Sequence, residues 1–185
     1  MLYTKYGERV LAESERFNPS DDVLKEVFAN NFYKAQHILV MTIDQTTGQK
    51  LPQEQLDAKK AEIEALLKQA KGGADFHKLM MEHSEDPGKE SAPDGYVFSE
   101  GEMVTEFYEG TKALVENGIS DIIESSYGYH IIKRIPLDME ADFTANVGKA
   151  QNFYMIAEED KVIEELKATM EITQDDAKIN AVAVR

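Results

Sequence analysis

The chain contains no cysteine, which excludes a disulfide, a thiolate metal site, a thiol nucleophile and a lipidated N-terminal cysteine. Positive charge is scarce: 20 lysines and arginines stand against 35 aspartates and glutamates, giving a formal net charge of −15. A field of that sign repels phosphate backbones and anionic lipid surfaces, so no nucleic acid partner is expected. No stretch approaches the ~20 consecutive apolar residues that cross a bilayer. The opening segment MLYTKYGERVLAESERF carries charges throughout and lacks the apolar core of an export signal. The expectation is therefore either a cytoplasmic protein or a mature or truncated piece of a longer one. HExxH and EF-hand spacings are also missing, so neither a metal nor any other cofactor is expected.

What is present fits one compact domain with smaller flanking segments: 185 residues, 42% of them hydrophobic. Residues 1–33 read as helical, with Ser20 as cap, Asp21 and Asp22 in the first turn, and Val23, Leu24, Val27 and Phe28 on one side. KAQHILVM (34–41) reads as a strand and DQTTGQKLP (44–52) as a polar loop. From Glu54 to Lys71, Leu56, Ile63, Leu66, Leu67 and Ala70 recur at helical spacing, and Gly72-Gly73 supplies a stop. A second helix follows, with Phe76, Leu79, Met80 and His83 on its stripe and His77 pointing away. EDPGKESAPDG (85–95) is rich in turn residues.

GYVFS (95–99) is a short strand, and VTEFYEGTKALV (104–115) a helix presenting Phe107 and Leu114. ISDIIES and YGYHIIKRI have hairpin spacing across Ser125 to Gly128. This βααβαββ order, closed by a hairpin, predicts an α+β fold with a mixed or antiparallel sheet. Beyond Pro136 a charged helix is expected from about Phe143 to Met170, with Val147, Ala150, Tyr154, Ile163 and Leu166 inward. The domain expectation is an N-terminal helical segment, 1–33, a central domain, 34–137, and a C-terminal helical segment, 138–185, packing with the first. The terminal helices could instead pair between two chains in a homodimer.

Strand alternation puts His37 on one face with Ala35, Leu39 and Met41, and His130 on one face with Ile132. A lone histidine on an apolar face is ordinarily a satisfied core residue. Two, near the starts of two hydrophobic strands, can hydrogen-bond and fix each other's tautomers if the strands are neighbours.

HILV (37–40), ADFHKLMMEHSEDPGK (74–89), DGYVFSEGEMVTEF (94–107) and SSYGYHIIKRI (125–135) resemble, in order and spacing, the successive signatures of the parvulin family of peptidyl-prolyl cis/trans isomerases. The resemblance covers about residues 34–136. It implies a four-stranded antiparallel sheet wrapped by helices, with the terminal helical segments as a flanking module. It also implies a histidine dyad from His37 and His130, a proline-ring pocket from Met103 and Phe107 over an aromatic floor at Phe98, and Ser125 touching the second histidine. Asp86 stands where many members carry cysteine and others aspartate, which leaves a non-covalent mechanism. The family's Gly-Gly-Asp-Leu-Gly turn becomes Ala92-Pro93-Asp94-Gly95-Tyr96, losing an apolar side chain at Gly95 and gaining a ring beside it. The loop TIDQTTGQKLPQEQ has one lysine and no arginine, so phosphate-directed specificity is not expected.

The implied activity is that of bacterial foldases of the PrsA and SurA type, isomerising X-Pro bonds in unfolded or partly folded polypeptides. By that analogy the chain would act outside the cytoplasm if it is a mature or truncated foldase. The rival from another class is a non-catalytic holdase on the same scaffold. His83 is expected to be structural and His77 solvent-exposed.

Overall fold

The computed structural model describes residues 15–169, and part of the expected 1–33 helical segment lies outside them, as does the far C-terminus. Two compact units divide the chain: residues 28–146, and the terminal segments up to Val27 and from Val147 onward.

Helix α1 spans Asp21–Asn31. The Ser20 hydroxyl accepts the Val23 N–H at 3.4 Å, and Asp21 and Asp22 sit where the helix dipole favours negative charge. Leu24 and Phe28 are buried, but Val23 is exposed, contrary to the expected stripe. The buried row steps by four through Leu24, Phe28 and Phe32, and Val23 lies off it.

In the 28–146 unit, β1 (Tyr33–Met41) is the long strand. It is buried continuously from Ala35 to Val40 because both faces are covered. One face carries Ile38 and Val40 against Ile63, Leu66, Phe76 and Ile131. The other carries Ala35 against Phe98, Phe107 and Ile132. Helix α2 (Gln53–Lys71) buries Leu56, Ile63, Leu66 and Ala70 and stops at Gly72, whose N–H bonds to the Lys68 carbonyl. Helix α3 (Phe76–His83) is capped by Asp75, which accepts the Lys78 N–H at 3.1 Å.

Phe76, Leu79 and Met80 are buried in α3, but the His83 side chain is 43% exposed, so the structural role expected for it is not realised. The helix ends there, and Ser84 turns inward instead, its hydroxyl accepting the Leu39 N–H at 3.0 Å. His77 is exposed as expected, with Nδ1 3.0 Å from the Gln36 side-chain amide.

Strand β2 (Tyr96–Phe98) pairs antiparallel with Tyr33–Ala35. Helix α4 (Thr105–Lys112) buries Phe107, Tyr108 and Thr111. Strand β3 is only Ile123–Glu124, and β4 spans Gly128–Ile135. The strand expected over ISDIIES is thus mostly absent. Ser120 sits at the interruption: its N–H still donates to the Ile132 carbonyl at 2.8 Å, and Ile119 bridges Lys133, but the Ile132 N–H goes to the Ser120 hydroxyl at 2.9 Å in place of a backbone carbonyl, so the ladder is broken there into an isolated bridge. The sheet is four-stranded and antiparallel, ordered β2-β1-β4-β3. With its covering helices and helical flanking segments, the fold is α+β.

Helix α5 spans Ala141–Thr169. Within the 28–146 unit its first turn buries Phe143 edge-on against Phe28, centroids 5.7 Å apart. In the terminal unit, Arg16 bonds Glu158 at 2.5 Å and Glu165 at 3.0 Å, and Tyr154 Oη donates to the Arg16 carbonyl at 2.9 Å. The inward row is Ala150, Tyr154 and Glu158. Ile163 and Leu166, expected inward, are 47% and 54% exposed because they lie across the helix from that row, and Val147 remains 38% exposed.

Candidate active site

The β1–β4 register sets Leu39 opposite His130 and His37 opposite Ile132, so the two histidines are diagonal neighbours on one sheet face. Their Nδ1 atoms are 3.2 Å apart and the rings lie within 18° of parallel. Both are buried, at 8% and 3% exposure. Phe107 from α4 meets both rings edge-on, at 5.0 Å from His37 and 5.7 Å from His130.

Asp86 is held beside β1 by what precedes it. Along the edge of β1 that β2 leaves unpaired, Glu85 N–H donates to the Leu39 carbonyl at 2.8 Å, while the Ser84 hydroxyl accepts the Leu39 N–H. The Asp86 carboxylate then lies 2.9 Å from His37 Nε2 and 2.7 Å from Tyr96 Oη, both through Oδ2, and Oδ1 accepts the Gly88 N–H at 3.0 Å. Burial opposes its ionisation, but the bonds from His37, Tyr96 and Gly88 prevail and hold it well below the usual carboxylate range.

An ionised Asp86 only accepts, so Tyr96 and His37 Nε2 both donate to it. His37 Nδ1, the ring's other nitrogen, faces His130 Nδ1, and when each ring carries a single proton it accepts from His130 Nδ1–H. His130 Nε2 in turn accepts from the Ser125 hydroxyl, 2.7 Å away, and Ser125 Oγ accepts the Tyr127 N–H at 3.2 Å. Burial, reinforced by the adjacent His37 and opposed by Asp86, lowers His130 to about 4, so it is neutral at pH 7. The Tyr96 phenol is pushed above its ordinary value by burial and by the Asp86 carboxylate it faces.

Above this network opens a cavity of about 430 Å³, lined by His37, Leu39, Met41, Asp86, Pro87, Tyr96, Glu102, Met103, Val104, Phe107, Tyr127 and His130. Of the residues expected from sequence, His37, Asp86, Met103, Phe107 and His130 line it. Ser125 touches His130 from behind the wall. Phe98 is fully buried, packed against Phe107 at 5.5 Å and not itself part of the lining. Sequence reasoning did not single out Tyr96, Tyr127, Pro87, Glu102 or Val104 as lining residues. Tyr96 had a signal, the ring noted beside Gly95; Tyr127, in the 125–128 turn, had none. The charged lining residues are both acidic, Asp86 and Glu102.

A four-stranded antiparallel sheet wrapped by helices, with a buried histidine pair under an apolar cavity, defines a domain of the parvulin type. The chain belongs to the family of PPIC-type PPIase domains, the peptidyl-prolyl cis/trans isomerases, whose model matches residues 23–135. Among its relatives is the foldase protein PrsA of Geobacillus kaustophilus, 37% identical over 128 residues, which cover 68% of this chain and 40% of that protein. PrsA of a second Geobacillus species is 36% identical over 130 residues, with the same coverage of 68% and 40%. The crystal structure of PrsA from Bacillus subtilis aligns with 85% of this chain and 58% of that one, at 25% identity and a TM-score of 0.43. The chain spans 40% of the length of the two Geobacillus foldases it matches.

Proposed function

We propose that this chain catalyses cis/trans rotation about X-Pro bonds in unfolded or partly folded polypeptides, acting as a foldase without covalent or cofactor chemistry. The observation that carries this reading is the open apolar cavity set directly on a buried, hydrogen-bonded histidine pair with a carboxylate at its wall. An X-Pro bond needs only a lower barrier than the ~18–20 kcal/mol set by amide resonance. Planar resonance places negative charge on the carbonyl oxygen, and twisting about C–N removes it. A water-poor pocket from Met103 and Phe107, supported by Phe98, therefore favours the twisted form. The Asp86 carboxylate acts in the same direction by disfavouring negative charge on that oxygen. His37 and His130, with Ser125, organise the network that holds Asp86 and act as neither acid nor base.

The acidic lining and the single lysine of the 42–55 loop support proline recognition without a phosphate. In a protease-coupled assay on a proline-containing peptide, the expected acceleration is about a thousand- to a hundred-thousand-fold over buffer, ~4–7 kcal/mol of barrier. The phosphorylated form of the residue before proline should gain nothing. Suppression of aggregation with no acceleration of the peptide would overturn the catalytic reading in favour of a holdase.

A further inference from the structure

Tyr96 bonds to Asp86 at 2.7 Å from the adjacent strand, opposite Ala35 and on the face that carries His37. Two glycines serve this arrangement. Gly95, with φ +102 and only 2.7 Å between an added Cβ and the Ala35 carbonyl oxygen, brings the chain into β2 at the point where no side chain fits. Gly88 makes room for the phenol: a Cβ there would lie 2.0 Å from Tyr96 Oη and 3.2 Å from its Cζ. Gly88 does not have a positive φ, so its lack of a side chain answers to space and not to backbone strain. The same residue gives its N–H to Asp86 Oδ1. Both carboxylate oxygens are thus fixed, Oδ1 by Gly88 and Oδ2 by Tyr96 together with His37.

We infer that Tyr96 is a positioning residue, its hydroxyl fixing the orientation of the Asp86 carboxylate at the cavity wall and, through it, the tautomer of His37. The inference rests on the isomerase reading above for its effect on rate. Without the hydroxyl, Oδ2 keeps only His37, and the carboxylate can turn away from the carbonyl it is meant to face. The ring of Tyr96, 5.9 Å from that of His37, remains in place as packing.

Two variants remove this bond by different routes. Tyr96→Phe deletes the hydroxyl and keeps the ring; Gly88→Ala keeps the hydroxyl and displaces it. Each should lower kcat/KM about tenfold, the size expected for one hydrogen bond to a charged group, with peptide KM within about twofold of wild type. Adding Gly88→Ala to a Tyr96→Phe background should cost clearly less than it does alone, since the hydroxyl 2.0 Å from the new Cβ is gone and only the ring edge at 3.2 Å has to give. Imidazole ¹⁵N resonances should report altered protonation exchange at His37 in both single variants. Wild-type kcat and unchanged His37 resonances in Tyr96→Phe would overturn the inference. So would a full second loss from Gly88→Ala in that background. Should the wild-type chain lack isomerase activity, the function proposed above falls, while the histidine resonances still decide whether Tyr96 fixes the Asp86–His37 pair.

Discussion

His130 is buried beside a second histidine and titrates near 4 in the fold, against about 6.5 when unfolded. A lowered histidine value favours the deprotonated native state, so its contribution is complete above pH ~6.5 and is lost as pH falls toward 4. Denaturant melts across that window should show a loss on the order of 3 kcal/mol in the wild type. His130→Asn, with no proton to take up, should flatten the slope; an identical slope in that variant would place the titration elsewhere. At this scale much of the site was legible, because alternation alone set His37 with Leu39 and Met41, and all three line the cavity. What alternation could not provide is the two-residue offset between β1 and β4 that brings the two Nδ1 atoms to 3.2 Å. Nor could it show that the ring beside Gly95 would reach across to Asp86, since that contact depends on how the irregular 85–95 segment folds back.

The apolar repeat places α2 and its buried row, but it misplaces Val23 in α1 and Ile163 and Leu166 in α5, and strand extents are read less well where a polar side chain takes the place of a backbone partner. Ser120 shortens β3 in this way. Ser84 does the same for the edge of β1, which outruns the three-residue β2 and needs partners for its remaining groups. Ser84 is also what turned the chain inward where His83 had been expected to pack. Replacing Ser84 by alanine leaves the buried Leu39 N–H without its acceptor, and a lost buried partner costs about 1–3 kcal/mol. The expected outcome is a urea midpoint lowered accordingly, with a further fall in kcat/KM because Asp86 lies two residues on. An unchanged midpoint would mean that another group accepts the Leu39 N–H, and that the 84–86 segment is not held as described.

Across the whole chain, the boundaries that best enclose the catalytic unit follow from where its aromatic residues lie. Phe28 and Phe32 stack at 4.9 Å, and Phe28 meets Phe143 edge-on; all three are buried. Lys34 pairs with Asp142 at 2.9 Å on the same side. A domain cut at 34–137, the limits expected from the sequence signatures, discards the three phenylalanines and the aspartate, which belong to none of those signatures, although the family model, at residues 23–135, takes in Phe28 and Phe32. We propose that a fragment of residues 20–146, which keeps the Ser20 cap and this cluster, folds and isomerises a proline peptide at close to the rate of the full chain. The 34–137 fragment should be less stable by several kcal/mol, since truncating even one buried phenylalanine typically costs about 3–5 kcal/mol. Urea melts of the two fragments, read beside their peptide kinetics, decide the matter. Equal stability would make the aromatic cluster dispensable, whereas an inactive but folded 20–146 fragment would show that the terminal segments contribute to catalysis itself.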